Sequence, residues 1–344
     1  MSEELDARQK KILQAVVEEY IETAEPVSSG NILKSGNLSC SSATIRNEMA
    51  DLEKNGFLEQ PHTSSGRVPS EKGYRYYVDK LIREDALSRK ELEYIKKSME
   101  DKLADLEDLT KIATTTLSEI THYTTIAIGP NMNDHTIVDI KFISLGARVL
   151  MAVILTDSGM IKESVIKFDE NITEAQVQDL NEIFRNKLVG KPLEKISGQF
   201  EDNIMAEIKT GVKIIKKIIK EINKIIEESE RVHLEGTNKV VDLPEFKKLD
   251  VAKDFLNVID ANDLVAEIIA SGEAKDINVY IGSESEREEL KNFSIVTFNH
   301  LIKGEDIGTI GIIGPKRMNY SKVIAVMKYI SKKLNEELGQ ENDN

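Results

Sequence analysis

Cysteine is almost missing from this chain. Cys40 is the only one in 344 residues, which excludes an internal disulfide framework and fits a reducing cytoplasm. The histidines (His62, His122, His135, His233 and His300) are scattered without close Cys or His partners, so no metal-site spacing exists. No Ser-His-Asp grouping or phosphate loop is present, and the carboxylates of GSESEREE (282–289) read as a solvated helix start. The longest apolar run, VLMAVIL at 149–155, is far too short to span a bilayer. The opening MSEELDARQKK has no apolar signal region, so export is not expected. These absences leave no catalytic residue, cofactor, metal or membrane to expect, and point to a cytoplasmic protein.

What is present is an ordinary globular composition, with 40% hydrophobic and 31% charged residues. At 344 residues, two or three domains are expected. The net charge of −14 argues against non-specific coating of nucleic acid. Locally the sign reverses: residues 60–83 hold Arg67, Lys72, Arg75, Lys80 and Arg83 against Glu71 and Asp79. A local basic surface suffices for local recognition.

The first 83 residues read as a helix-turn-helix followed by a ribbon. Ile12, Leu13, Val16, Val17, Tyr20 and Ile21 recur at helical spacing over about 6–22, and Pro26 ends that helix. Ser28 or Ser29 can cap a short second helix ended by Gly36, and Ser41 or Ser42 a third, which Asn55-Gly56 stops. Residues 57–59 and the stretch around Val68 can pair as a hairpin with Gly66 at its tip. This is a winged helix. On its third helix Ile45, Met49 and Leu52 must face the core, so Ser42, Ala43, Arg46 and Asn47 project outward near the N-terminus, the part that enters a major groove. Arg bonds guanine O6/N7 and Asn bonds adenine N6/N7, while small residues permit close approach. Thr44 joins them, although it lies beside the core residue Ile45. His62, Thr63, Ser64, Arg67 and Tyr74 or Arg75 are expected as wing or backbone contacts, Arg67 from the wing tip. Cys40, just before the third helix, reads as a small residue packed in a turn.

SSATIRNEMADLEKNGFLEQPHTSSGRVPSEKGYRYYVDKL (41–81) resembles the N-terminal signature of the HrcA family, repressors of bacterial chaperone operons, and LDARQKKILQAVVEEYIETAEPVSS looks like the same family. The one departure is Ser28-Ser29, where a Gly-Ser pair is common. The resemblance implies an α+β multidomain fold: a winged-helix domain (1–83) and a GAF-like domain in two parts (84–134 and 233–344) around an inserted dimerisation domain (135–232). It also implies a homodimer on double-stranded DNA carrying the inverted-repeat CIRCE operator, and a chaperonin partner, GroEL, that maintains the active repressor.

The rest of the chain agrees with that split. Residues 86–122 read as one long helix, and TTIAIGP (124–130) finds an echo in GTIGIIGP (308–315), two strands of one sheet interrupted by an insertion. Between them, 136–168 forms a three-stranded antiparallel meander followed by helices. VKIIKKIIKEINKIIEES (212–229) carries Val212, Ile215, Ile219, Ile222 and Ile226 at alternating spacings of three and four, widened by Ile214, Ile218 and Ile225. A stripe this wide needs a large apolar partner, either its own meander or a second copy across a dimer interface. Its lysines read as the solvated face rather than a DNA contact. Two rival functions remain at this stage: a metabolite-controlled transcription factor of similar architecture, and an enzyme with a DNA-binding appendage.

Overall fold

The computed structural model describes residues 4–34, 40–61, 66–83, 85–100, 106–129, 135–157, 161–193, 203–204, 212–229, 232–260, 277–285, 287–302 and 305–340. It is a mixed α+β chain with antiparallel sheets that divides into two compact units. One holds residues 1–127, 233–299 and 310–344, the other 128–232 and 300–309. The sequence leads one to expect 1–83 as a domain of its own. Its helices pack in a hydrophobic core that continues into the outer pieces, running from Leu5 through Tyr74 to Leu334.

Helix α1 (Ala7–Thr23) starts at Asp6, whose carboxylate accepts the Arg8 and Gln9 amides while Gln9 accepts the Asp6 amide in return. It buries Ile12, Leu13, Val16 and Val17. Ser28 Oγ accepts the Asn31 amide at the start of α2 (Ser29–Lys34). Ser41 caps α3 (Ser42–Lys54) through the Thr44 amide, and the helix buries Ile45, Met49 and Leu52, the stripe its spacing predicts. Asn55 and Gly56, the latter at φ +77, end it. Strand β1 (Leu58–Glu59) then pairs antiparallel with β2 (Val68–Pro69).

Gly66, expected at the tip of that ribbon, makes a close backbone approach, and residues 62–65 beside it lie outside the described ones. It lies against the backbone of Val27, where a Cβ would meet the Val27 carbonyl oxygen at 2.3 Å. Next to it Arg67 and Val27 exchange both backbone hydrogen bonds, at 2.8 Å each, so the α1–α2 connection adds a third rung to the ribbon. Gly66→Ala should therefore loosen the contact between the ribbon and the α1–α2 connection and lower stability by about 1–3 kcal/mol, as overpacking does; a thermal unfolding midpoint equal to the parent's would refute this.

After the ribbon, α4 (Glu71–Tyr76) runs into a wider π-helical turn, Tyr77–Leu81. The long helix expected over 86–122 is two helices, α5 (Arg89–Glu100) and α6 (Leu106–Thr121), which pack on each other; residues 101–105 lie outside the described ones. Folding back lets Ile95, Met99 and Leu109 enter the same core. Strand β3 (Thr124–Ile128) follows.

The second unit is built on β4 (Ile137–Gly146), β5 (Val149–Thr156) and β6 (Ile161–Lys167), an antiparallel meander in sequence order. Ile140, Phe142, Leu150, Ala152, Ile154 and Ile166 are buried on one face. Helix α7 (Glu174–Leu188) covers β4, with Phe184 edge-on to Phe142 at 5.1 Å. Helix α8 (Val212–Ser229) packs on β6. Returning to the first unit, β7 (Val232–Glu235), α9 (Leu249–Asp260), β8 (Asn278–Ile281), β9 (Phe293–Ile302), β10 (Glu305–Pro315) and α10 (Tyr320–Gln340) complete the chain. The five-stranded sheet runs β7-β3-β10-β9-β8, so the two echoing strands, β3 and β10, lie side by side as the sequence repeat suggests. No described helix is long and apolar enough to cross a membrane.

Candidate nucleic-acid interface

Burying Ile45, Met49 and Leu52 rotates the other side of α3 into solvent, which exposes Ala43, Arg46, Asn47 and Ala50. Among the described residues, the side chains of Arg46 and Asn47 make no hydrogen bond or ion pair. An exposed guanidinium and a carboxamide on adjacent residues, with alanines beside them, form a surface that can approach base edges closely. Ser42 and Thr44 are half-buried and already occupied: Ser42 Oγ lies 3.2 Å from Ser29 Oγ, and Thr44 Oγ1 lies 2.9 Å from Ser41 Oγ. They hold the helix-turn together more than they extend from it.

The remaining expected contacts fare differently. His62, Thr63 and Ser64 lie outside the described residues. Arg67 follows the Glu59–Val68 pair on the loop side of the ribbon, and its side chain turns back onto α3, with Nε and Nη2 both 2.8 Å from Glu53 Oε2. The rung to Val27 draws it inward, and it braces the ribbon against the end of α3. Tyr74 is buried, with its hydroxyl unpartnered among the described residues, and burial pushes its pKa well up. Arg75 is held by Glu284, at 2.8 Å from Nε to Oε1, by the Val279 carbonyl at 2.6 Å, and by Asp79 at 3.2 Å. Both residues belong to the seam where α4 meets β8 and its following turn: Tyr74 is buried there, and Arg75 is partly exposed with its guanidinium engaged.

The whole chain can be set beside known proteins. The HrcA protein C terminal domain matches residues 107–324. A heat-inducible transcription repressor HrcA from Clostridium acetobutylicum is 39% identical over 344 residues, covering 99% of both chains, and one from Ruminiclostridium cellulolyticum is 37% identical over 345 residues, again 99% of both. The chain belongs to the HrcA family of heat-inducible transcription repressors. A crystal structure at 2.2 Å resolution, described as that of a hypothetical protein, shares 27% identity with a TM-score of 0.71 and covers 97% of this chain and 98% of its own. HrcA proteins are regulators of transcription, and this chain is a repressor, not an enzyme.

Within this HrcA chain the Ile-rich stripe is resolved by packing. Ile215, Ile219, Ile222 and Ile226 are buried inside the chain, together with Ile214, Ile218 and Ile225. Of the five residues expected at a dimer contact, Val212 alone is exposed, at 54%. The stripe is wide because it must cover its own meander.

Sequence reasoning overlooked the opposite face of that meander. The run VLMAVIL becomes β5, whose alternate residues Leu150, Ala152 and Ile154 face the helices while Val149, Met151, Val153 and Leu155 face the other way. Ile143, Met151 and Val165 form one apolar row across the three strands, and Leu155 pairs with Ile161 two rows further along, past the row of Lys141, Val153 and Glu163. Ile161 is 64% exposed and Val165 53%. An antiparallel sheet with one covered face is normally polar on the other. The signal lay in the unbroken apolar run, since a strand that is half-solvated should alternate.

Proposed function

We propose that this protein represses class I heat-shock operons of the groE and dnaK type by binding the inverted-repeat CIRCE operator as a cytoplasmic homodimer. The observation that carries the reading is the pair Arg46 and Asn47, exposed at the outer face of α3 with no partner among the described residues. In the winged-helix reading α3 lies in the major groove, His62, Thr63 and Ser64 are expected to contact the DNA backbone, and Arg67 braces the ribbon against α3. The five-stranded sheet with its helices is the GAF-like domain. A mobility-shift titration of the purified protein against a CIRCE duplex and a scrambled duplex tests this, and equal affinity for the two would end it.

The outer face of the β4-β5-β6 sheet is the surface best suited to join two copies. Its rows are self-complementary. Lys141 and Glu163 flank Val153 on the two edge strands, and Ile143 and Val165 flank Met151. A two-fold axis along β5 lays each lysine over the glutamate of the other copy and each isoleucine over the valine, with Met151 and Val153 at the centre. Isologous packing of this kind is the commonest route to a homodimer. Dimerisation supports repression because two reading heads on one inverted repeat bind with an effective concentration that a single head lacks.

Heat inactivates the repressor in this reading by separating or partly unfolding the inserted unit. Exposed apolar surface of the meander and of α8 then aggregates or is captured by the chaperonin GroEL, which returns the folded dimer. Mild heating should remove operator binding and the dimer together, and GroEL with ATP should improve recovery. A heated protein that stays a soluble dimer yet releases DNA would place the sensing step elsewhere.

A further inference from the structure

The seam behind the reading head carries a set of charged contacts that no DNA contact accounts for. Glu71, at the start of α4, accepts hydrogen bonds from the Ser283 hydroxyl and from Lys316 Nζ at 3.0 Å. Four residues on, Arg75 grips Glu284 through Nε and Nη2 and reaches the Val279 carbonyl, while Glu284 also accepts the Ile281 amide at 2.8 Å. The turn between these partners is shaped for the contact. Gly282 has φ +55, and a Cβ there would meet Glu71 Oε1 at 2.1 Å. Burial works against the Glu71 carboxylate, but Ser283 and Lys316 outweigh it and keep its pKa below the ordinary value.

The seam is also polar and imperfectly satisfied. Arg317 bridges Glu245 and the Ile21 carbonyl of α1, and the buried Tyr74 hydroxyl finds no partner among the described residues. Side chains that are roughly a third exposed add salt-sensitive, modest attraction rather than a permanent lock. These charged contacts lie at the rim of the hydrophobic core that the two parts share, so releasing them loosens the seating of α4 without separating the parts.

We propose that Glu71 and Arg75 form a reversible latch on the Gly282–Glu284 turn and Lys316. By seating the N-terminal helices on the C-terminal sheet, the latch fixes the direction and spacing of the two recognition helices in the dimer. This rests on the DNA-binding reading above, and it makes Arg75 a positioning residue rather than a phosphate contact. Opening the latch leaves each reading head intact but spreads the pair over many orientations, so the effective concentration of the second head falls.

The test uses the full-length protein with Arg75→Glu, Glu284→Arg and the charge-swapped double variant, plus the milder Glu284→Gln in case a reversal fails to fold. Affinity is measured for a full inverted-repeat duplex and for a half-site duplex, and amide exchange is followed over 74–81. The single variants should lose about ten-fold or more on the full duplex with little change on the half-site, since only bivalent grip is affected. Exchange over 74–81 should rise, and the double variant should restore both. Equal losses on both duplexes for Arg75→Glu without rescue would make Arg75 a DNA contact and overturn the latch. So would unchanged exchange, or tighter full-duplex binding on opening, which would make the seated state an inhibited one. If the parent protein binds neither duplex, the DNA-binding reading fails, while exchange still decides whether the latch exists.

Discussion

Arg46→Ala combined with Asn47→Ala should abolish the preference for operator over scrambled DNA while leaving the protein folded. Each bidentate contact to a base edge is worth about 1–3 kcal/mol of discrimination, so the pair together should cost on the order of 10²–10⁴-fold in specific affinity. Adjacent residues need not add, and the single variants will show the coupling. Neither side chain has an internal partner among the described residues, and surface changes of this kind usually move stability by less than about 0.5 kcal/mol. Thermal unfolding should therefore coincide with the parent. If affinity falls equally on both duplexes, the two residues contribute charge and shape but do not read bases.

Met151→Glu should convert the dimer to a monomer. Met151 stands between Ile143 and Val165 at the middle of the outer sheet face, and its neighbours along β5 on that face are Val149 and Val153. Two carboxylates forced together on the proposed two-fold axis would be desolvated and mutually repelled. The side chain faces away from α7 and α8, so the unit's own core is untouched. Operator affinity should drop by about 10²–10⁴-fold, the gain that linkage of two sites ordinarily supplies, with half-site affinity retained. Val212→Glu, on the exposed end of α8, serves as the control and should stay dimeric. A Met151→Glu protein that sediments as a dimer at micromolar concentration would move the interface off this sheet face.

Local rules made much of the first unit readable. The helix stops at Pro26 and Asn55-Gly56 and the stripe of α3 depend on residues within a few positions of one another, and each is found where the spacing puts it. Residues whose partners are distant in sequence were harder to place. Gly66 looked like a turn glycine because its neighbour Val27 is far along the chain, yet close approach of two backbones is what requires it. Tyr74 and Arg75 looked like wing residues because basic and aromatic side chains suit DNA, and nothing nearby revealed Glu284 as the competing partner. The long helix over 86–122 failed for a related reason. An apolar stripe of helical period is the same whether the helix continues or folds back on itself, and only the shared burial of Ile95, Met99 and Leu109 distinguishes the two.

The sequence by itself determined the exposed face of α3, because three apolar residues at helical spacing leave only one side to solvent, and Arg46 and Asn47 are on it. It also determined that the echoing strands β3 and β10 bracket a separate segment, and its long signature identified the family. Tertiary structure alone decided which apolar surfaces were already used. The Ile-rich stripe of α8 and the outer face of β5 look equally hungry for a partner in one dimension. In three, α8 is consumed by covering its own sheet while Ile143, Met151, Ile161 and Val165 remain at the surface or only half-covered. Likewise Arg67 and Arg75 carry the right chemistry for DNA but are engaged by Glu53 and Glu284, partners that lie 14 and 209 positions away in sequence, and sequence distance says nothing about which partner the fold supplies.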